Sequence, residues 1–86
     1  MQRGGQRRRI ESNDALAARL LADPDPEPAA PFACECSHPY CSDAVVATAE
    51  EYVDARNRGA RLLSLAHVAP DGGEPLQTFE RFAVVR

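Results

Sequence analysis

The chain has 86 residues, 44% of them hydrophobic and 27% charged, with a formal charge of −3. That length allows one domain at most, and five aromatic residues with no Trp promise only a small core. Residues 1–22 carry five Arg against Glu11 and Asp14, a net +3, while residues 23–86 carry five Arg against eleven acids, a net −6. An acidic body argues against a nucleic-acid-binding face on the folded domain. No stretch approaches the roughly 20 apolar residues of a membrane-spanning helix.

Residues 1–9 are rich in Gly, Gln and Arg and read as a disordered basic arm. A helix is predicted over 10–22, with Ser12 and Asn13 as candidate caps and Ala15 to Ala22 as a run of strong helix formers. Leu16 and Leu20, with Ala17 and Leu21 adjoining, give it a narrow apolar stripe. Pro24, Pro26, Pro28 and Pro31 make residues 23–31 a stiff, extended linker and stop the helix near Ala22.

The ordered domain is expected over 32–86, with strands at 32–36 and 43–47. Thr48 and Glu51 form a capping box for a helix that runs to about Arg58. Its inner face is Ala49, Tyr52, Val53 and the stem of Arg56, and Asp54 pairs with Arg58 outside. Gly59 suits the position just past its end. Residues 61–68 read as a strand, Asp71 to Gly73 with flanking prolines as a loop, and 78–85 as a closing strand. The fold class is therefore α+β: short strands, roughly two β-hairpins, around one helix, preceded by an N-terminal helix.

All three cysteines, Cys34, Cys36 and Cys41, fall within eight positions that also hold His38, and His67 follows 26 residues later. Thiolate and imidazole are the ligand types zinc prefers, and four of them close a structural site. On an extended segment Cys34 and Cys36 point to one side, with Cα atoms roughly 6.5–7 Å apart. That is too wide for an easy disulfide, yet both can converge on one ion while Glu35 faces away. Ser37 to Tyr40 turns the chain to bring in Cys41. The favoured fourth ligand is His67, placed on the predicted strand beside Leu63 and Leu65, where an imidazole facing a small core needs a partner. His38, in the tight loop beside Pro39, is the alternative, as is a ligand from outside the chain. Zn2+ would also supply the folding energy that a body of about 55 residues lacks. Residue type alone does not separate zinc from iron.

The run Phe32-x-Cys34-Glu35-Cys36-x4-Cys41, the helix with Thr48, Glu51, Tyr52 and Arg56, the strand leading to His67 and the ending Phe82 to Val85 together resemble a group of small, functionally uncharacterised actinobacterial proteins. That group shows Phe, then Cys-Glu-Cys, a short loop and Cys, a Glu-Tyr helix, a Pro-Gly-His turn and a Tyr-Val-Val-Glu-Lys-like end. The likeness covers roughly residues 32–86 and, more loosely, an N-terminal helix with an Arg-x-x-Asn-Asp/Glu-like start. It implies that His67 corresponds to the histidine of that turn, and the group's usual acidic or small residue at the place of His38 points the same way. This chain departs in having Leu65 and Ala66 before His67 and in lacking the final Glu-Lys. The group brings no established activity.

A closed site of three Cys and one His leaves no position for water or substrate, and three thiolates make the ion a poor Lewis acid, so no enzyme is expected. The eleven acids of the body read as a solvated face. No apolar h-region follows the basic N-terminal residues, and an odd cysteine count then fits a reducing cytoplasm. The expected protein is a small cytoplasmic zinc-binding, zinc finger-like module with a regulatory or protein-interaction role. The alternatives are a zinc-thiolate redox sensor and a nucleic-acid-binding regulator using Arg7, Arg8 and Arg9.

Overall fold

The computed structural model describes residues 3–25 and 28–86. In chain order they form α1 (Arg3–Ala22), β1 (Ala30–Ala33), β2 (Ala44–Ala47), α2 (Ala49–Asn57), β3 (Arg61–Ser64), a 3-10 turn (Leu65–His67), α3 (Val68–Asp71), β4 (Pro75–Thr78) and β5 (Phe82–Val85). This is the expected α+β class. The strands β1 and β2 pair antiparallel as one small sheet, and β3, β5 and β4 make a second, three-stranded antiparallel sheet with β5 in the middle. The second sheet therefore has a third strand where a simple hairpin was expected.

α1 differs most from expectation. It begins at Arg3, within the stretch read as disordered, of which residues 1–2 lie outside the described residues. The reason is tertiary. Gly5, Arg9, Asn13 and Ala17 recur every four residues, so they share one helix face. Apolar contacts hold only the C-terminal half of that face, where Ala17 is buried and Leu16 and Leu20 pack beside it, while Leu21 is 55% exposed. The N-terminal half docks through polar groups instead. Gln6 Nε2 donates to the Glu35 carbonyl, and Arg9 donates to three carbonyls of the 34–43 loop. Gly5 sits so close to Pro39 that a Cβ would come within 2.5 Å of the Pro39 carbonyl oxygen. Asn13 is no cap. It lies in the middle of the helix, accepts from the Ala33 amide through Oδ1 and donates to the Ala33 carbonyl through Nδ2, both at 2.8 Å. Its amide thus serves β1 as a short piece of neighbouring strand would. The helix ends at Ala22 as expected, and of the proline linker residues 26–27 lie outside the described residues.

α2 starts on the predicted capping box, with Thr48 Oγ1 accepting from the Glu51 amide and Glu51 Oε1 accepting from the Thr48 amide. Its buried residues are Ala49, Tyr52 and Ala55, so Ala55 takes the inward place assigned to Val53 and Arg56. Asp54 and Arg58 pair at 3.5 Å, and Gly59 follows at φ 67°, a conformation open to it without steric cost. The Tyr52 ring stacks on Phe32 with centroids 4.9 Å apart. Its hydroxyl donates to Asp14 on α1, and burial together with that bond holds the phenol well above its ordinary range. Phe32, Tyr52, Leu62, Leu63 and all of β5 form the core between the helices and the sheets.

Strand limits shift at the site. β1 is observed at 30–33 rather than 32–36, because beyond Ala33 the backbone partners change: the Cys34 amide bonds to the Asp43 carbonyl, and the Glu35 amide to the Leu62 carbonyl. β3 stops at Ser64, where the amide turns to the Cys34 sulfur instead of a strand. Residues 65–67, expected to continue the strand, form the 3-10 turn, and α3 follows to Gly72 at φ 78°. The expected strand 78–85 is broken at 79–81 by a turn between β4 and β5.

Candidate metal centre

The segment from Cys34 to Asp43 links β1 to β2 and folds over the end of β3. Its three sulfurs converge. Cys34 and Cys36 are buried and Cys41 half-buried, and all three cysteines are free thiols. The half-buried His67 reaches them from the 3-10 turn, not from a strand face as expected, and its former strand neighbour Leu65 is 43% exposed. His67 Nδ1 lies 3.5 Å from Cys34 Sγ, 3.6 Å from Cys36 Sγ and 3.3 Å from Cys41 Sγ, and the four ligand atoms all fall within 4.8 Å of one another.

Those distances discriminate. A ring nitrogen has one hydrogen or one lone pair, so it makes one good hydrogen bond and not three. Near-equal spacing to three sulfurs marks a shared centre. Ligands about 2.3 Å (sulfur) and 2.05 Å (nitrogen) from one ion, at tetrahedral angles, stand about 3.6 Å apart. Cys34, Cys36, Cys41 and His67 are therefore positioned to hold a metal ion. His38 is outside the cluster: it is exposed, its Nδ1 accepts from the Tyr40 amide at 3.2 Å, and its ring stands edge-on to Tyr40.

Burial disfavours a charged thiolate at this cluster. Burial pushes the Cys36 thiol up to about 12; the His38 amide pulls against it, and the sulfurs of Cys41 and Cys34 add to the rise. A bound cation reverses this by deprotonating the coordinating thiols.

The surroundings hold the loop in shape. Arg9 spans it, with its two terminal nitrogens donating to the carbonyls of Cys36 (2.8 Å), His38 (2.9 Å) and Cys41 (3.0 Å). Asp71, its side chain only 1% exposed, accepts from the Ser37 amide at 2.9 Å and from Arg61 through both oxygens at 2.8 Å. The Arg61 hydrogen bonds hold the Asp71 carboxyl down at about 2, against the opposing effect of burial, with the Ser37 amide helping. Glu35 points away from the sulfurs as expected, but into the core rather than to solvent. It is 0% exposed, and its carboxylate accepts from the Leu62 amide (3.0 Å) and from Asn13 Nδ2 (2.9 Å), with Arg56 at 4.0 Å. Two of the eleven acids read as a solvated face are thus buried structural groups.

The roles of Arg9, Asn13, Asp43 and Asp71 around the site escaped the sequence reading. Arg9 and Asn13 had one available signal, their spacing of four on a helix, which puts them on one face with Ala17. Asp43 and Asp71 had none, because the partners an acid meets in the fold do not show in a sequence. No known protein-family model, no curated protein and no solved structure matches the chain.

Proposed function

We propose that Cys34, Cys36, Cys41 and His67 bind one zinc ion in a closed structural site, and that the protein is a small non-catalytic binding module. The observation that carries this is the near-equal distance from His67 Nδ1 to the three sulfurs. Four protein ligands complete zinc's usual tetrahedron and leave no place for a reacting water. Mixed thiolate and imidazole donors suit zinc, and a small core gains its missing stability from the ion.

A regulatory or protein-interaction role follows from what the fold displays once the metal is a staple. The tip of the loop carries Tyr40, 88% exposed, on a segment fixed by three sulfurs and by Arg9. A rigid exposed aromatic is the kind of residue that anchors protein interfaces. The nucleic-acid reading has less support. Arg9 is committed to loop carbonyls, and Arg7 stands 3.6 Å from Glu11 on the same helix. Among the described residues no helix is long and apolar enough to cross a membrane.

Cobalt substitution tests the site. Co2+ titrated into metal-free protein should give intense tetrahedral d–d bands and thiolate-to-metal charge transfer, saturating at one ion per chain. Weak octahedral bands, or bands that shift on adding small anions, would mean an open or differently liganded site. For the partner role, a photo-crosslinking amino acid in place of Tyr40 should give a discrete protein adduct that disappears when zinc is removed. If no adduct forms with the zinc-loaded protein, Tyr40 is not a contact residue.

A further inference from the structure

One carboxylate beside the centre is tied to two of its ligands at once. His67 presents Nδ1 to the sulfurs, which leaves Nε2 on the far side of the ring. There it lies 3.3 Å from Asp43 Oδ2. The same Oδ2 accepts from Ser64 Oγ at 3.4 Å. Ser64 in turn gives its amide to Cys34 Sγ at 3.3 Å, and the Cys34 amide returns to the Asp43 backbone carbonyl at 3.0 Å. Cys34, Ser64 and Asp43 thus form a closed ring of hydrogen bonds, which His67 joins through Nε2 beside the metal position.

We propose that Asp43 is the positioning residue of this centre: its carboxylate holds His67 in the tautomer with the proton on Nε2, so that Nδ1 is free to bind metal. The inference rests on the reading of the four residues as a metal site. Several features separate this contact from an ordinary surface ion pair. A neutral imidazole carries its proton on either nitrogen, and an acceptor on one nitrogen directs the lone pair to the other. Asp43 supplies that acceptor on the only ring nitrogen the sulfurs do not face. A carboxylate behind a liganding histidine also raises the ring's basicity toward the metal and fixes its orientation. The carboxylate is itself located, because Ser64 Oγ donates to it and its own backbone carbonyl is pinned by the Cys34 amide.

The network links distant parts of the chain. Cys34 follows β1, Asp43 precedes β2, Ser64 ends β3, and His67 closes the turn beyond it. Ser64 explains why β3 ends where it does, since its amide serves a sulfur and its hydroxyl serves Asp43. The backbone part of the ring survives any change of side chain at position 43, so a substitution there removes the carboxylate and leaves the loop's main-chain bonds.

The test uses the full zinc-loaded chain, with affinity measured by competition against a chromogenic chelator. Asp43→Ala should still bind one zinc but with 10–100-fold lower affinity, the usual effect of losing such a partner. Asp43→Asn keeps an oxygen that can accept from Nε2–H without the charge, and should fall between Asp43→Ala and wild type. Because both affect only the far side of the ring, long-range 1H–15N NMR of His67 gives an independent readout. Wild type should show a slowly exchanging Nε2–H with Nδ1 metal-bound, and Asp43→Ala should show faster exchange at Nε2. Wild-type zinc affinity within twofold in Asp43→Ala, with unchanged Nε2–H exchange, would overturn the role of Asp43 while leaving the metal site standing. Failure of the wild-type chain itself to bind zinc would instead overturn the reading beneath it.

Discussion

Replacing Glu35 by Gln tests whether the buried acid between Cys34 and Cys36 is held for its hydrogen bonds or merely tolerated. The carboxylate is 0% exposed, and each oxygen takes one donor: the Leu62 amide at 3.0 Å and Asn13 Nδ2 at 2.9 Å. Asn13 cannot turn its amide round to help, because its Oδ1 already accepts from the Ala33 amide at 2.8 Å. A Gln of the same shape has one oxygen and one NH2 group. Whichever way it sits, an NH2 faces another N–H, so one buried donor loses its acceptor. That costs about 1–3 kcal/mol, and the lost bond to a charged group is worth about 1.5–3 kcal/mol. The two overlap, so the expected loss is about 2–3 kcal/mol, a large part of the stability of a domain this small. An opposing effect exists: a neutral side chain avoids the cost of burying a charge, which Arg56 at 4.0 Å offsets in part. The sign of the result therefore decides between the two. Urea unfolding followed by circular dichroism, at free zinc fixed by a metal buffer, gives the number, since metal bound only to the folded state shifts the midpoint with its concentration. In an Asn13→Ala background the same change should cost clearly less, because the facing donor is gone. A Glu35→Gln protein as stable as wild type, or more so, would refute the reasoning.

Further outcomes follow from the same contacts. Arg9→Ala should destabilise the zinc-loaded protein by about 2 kcal/mol through the loss of charge-assisted bonds to three loop carbonyls, and Arg9→Lys should recover little, because a point ammonium cannot span them; urea melts check both. Gly5→Ala should lower stability in those melts even though Ala favours helix by about 1 kcal/mol, because its Cβ would meet the Pro39 carbonyl; a more stable variant would show that α1 does not dock there. Asp71 is held at about 2, below its ordinary value of 3.8, so its contribution is complete above about pH 5 and disappears as pH falls through the folded value. Stability measured against pH should thus run parallel in wild type and Asp71→Asn between pH 7 and 5, offset by about 2 kcal/mol, with any common decline there due to protons competing for the thiolates. Below pH 4 the two curves should converge.

Local chemistry made parts of the fold legible. The capping box at Thr48 and Glu51, the helix end at Gly59 and the stop before Pro24 each depend on a few neighbouring residues and appear where expected. So do the clustered cysteines, whose residue type limits what they can do. What stayed hidden was tertiary. α1 reads as too polar to extend before Ile10, because its docking face is built from Gly5 packed closely on Pro39 and from Gln6, Arg9 and Asn13 donating to backbone carbonyls, and hydrophobic periodicity does not register such a face. Residues 61–68 read as one continuous strand carrying His67, whereas the Ser64 amide leaves the ladder to bond a sulfur and turns the chain. Arg7, Arg8 and Arg9 read as one basic run, yet on a helix consecutive residues face different ways, and only Arg9 shares the face of Gly5 and Asn13 that meets the loop.

The central claim is that four side chains of this chain, and not His38, hold one metal ion. Metal content of protein purified without chelator, measured for wild type, His67→Ala and His38→Ala, tests it most directly. One zinc per chain in wild type and in His38→Ala, with loss or marked weakening in His67→Ala, is the predicted result. A folded wild-type protein without metal, or metal lost in His38→Ala and kept in His67→Ala, would contradict it.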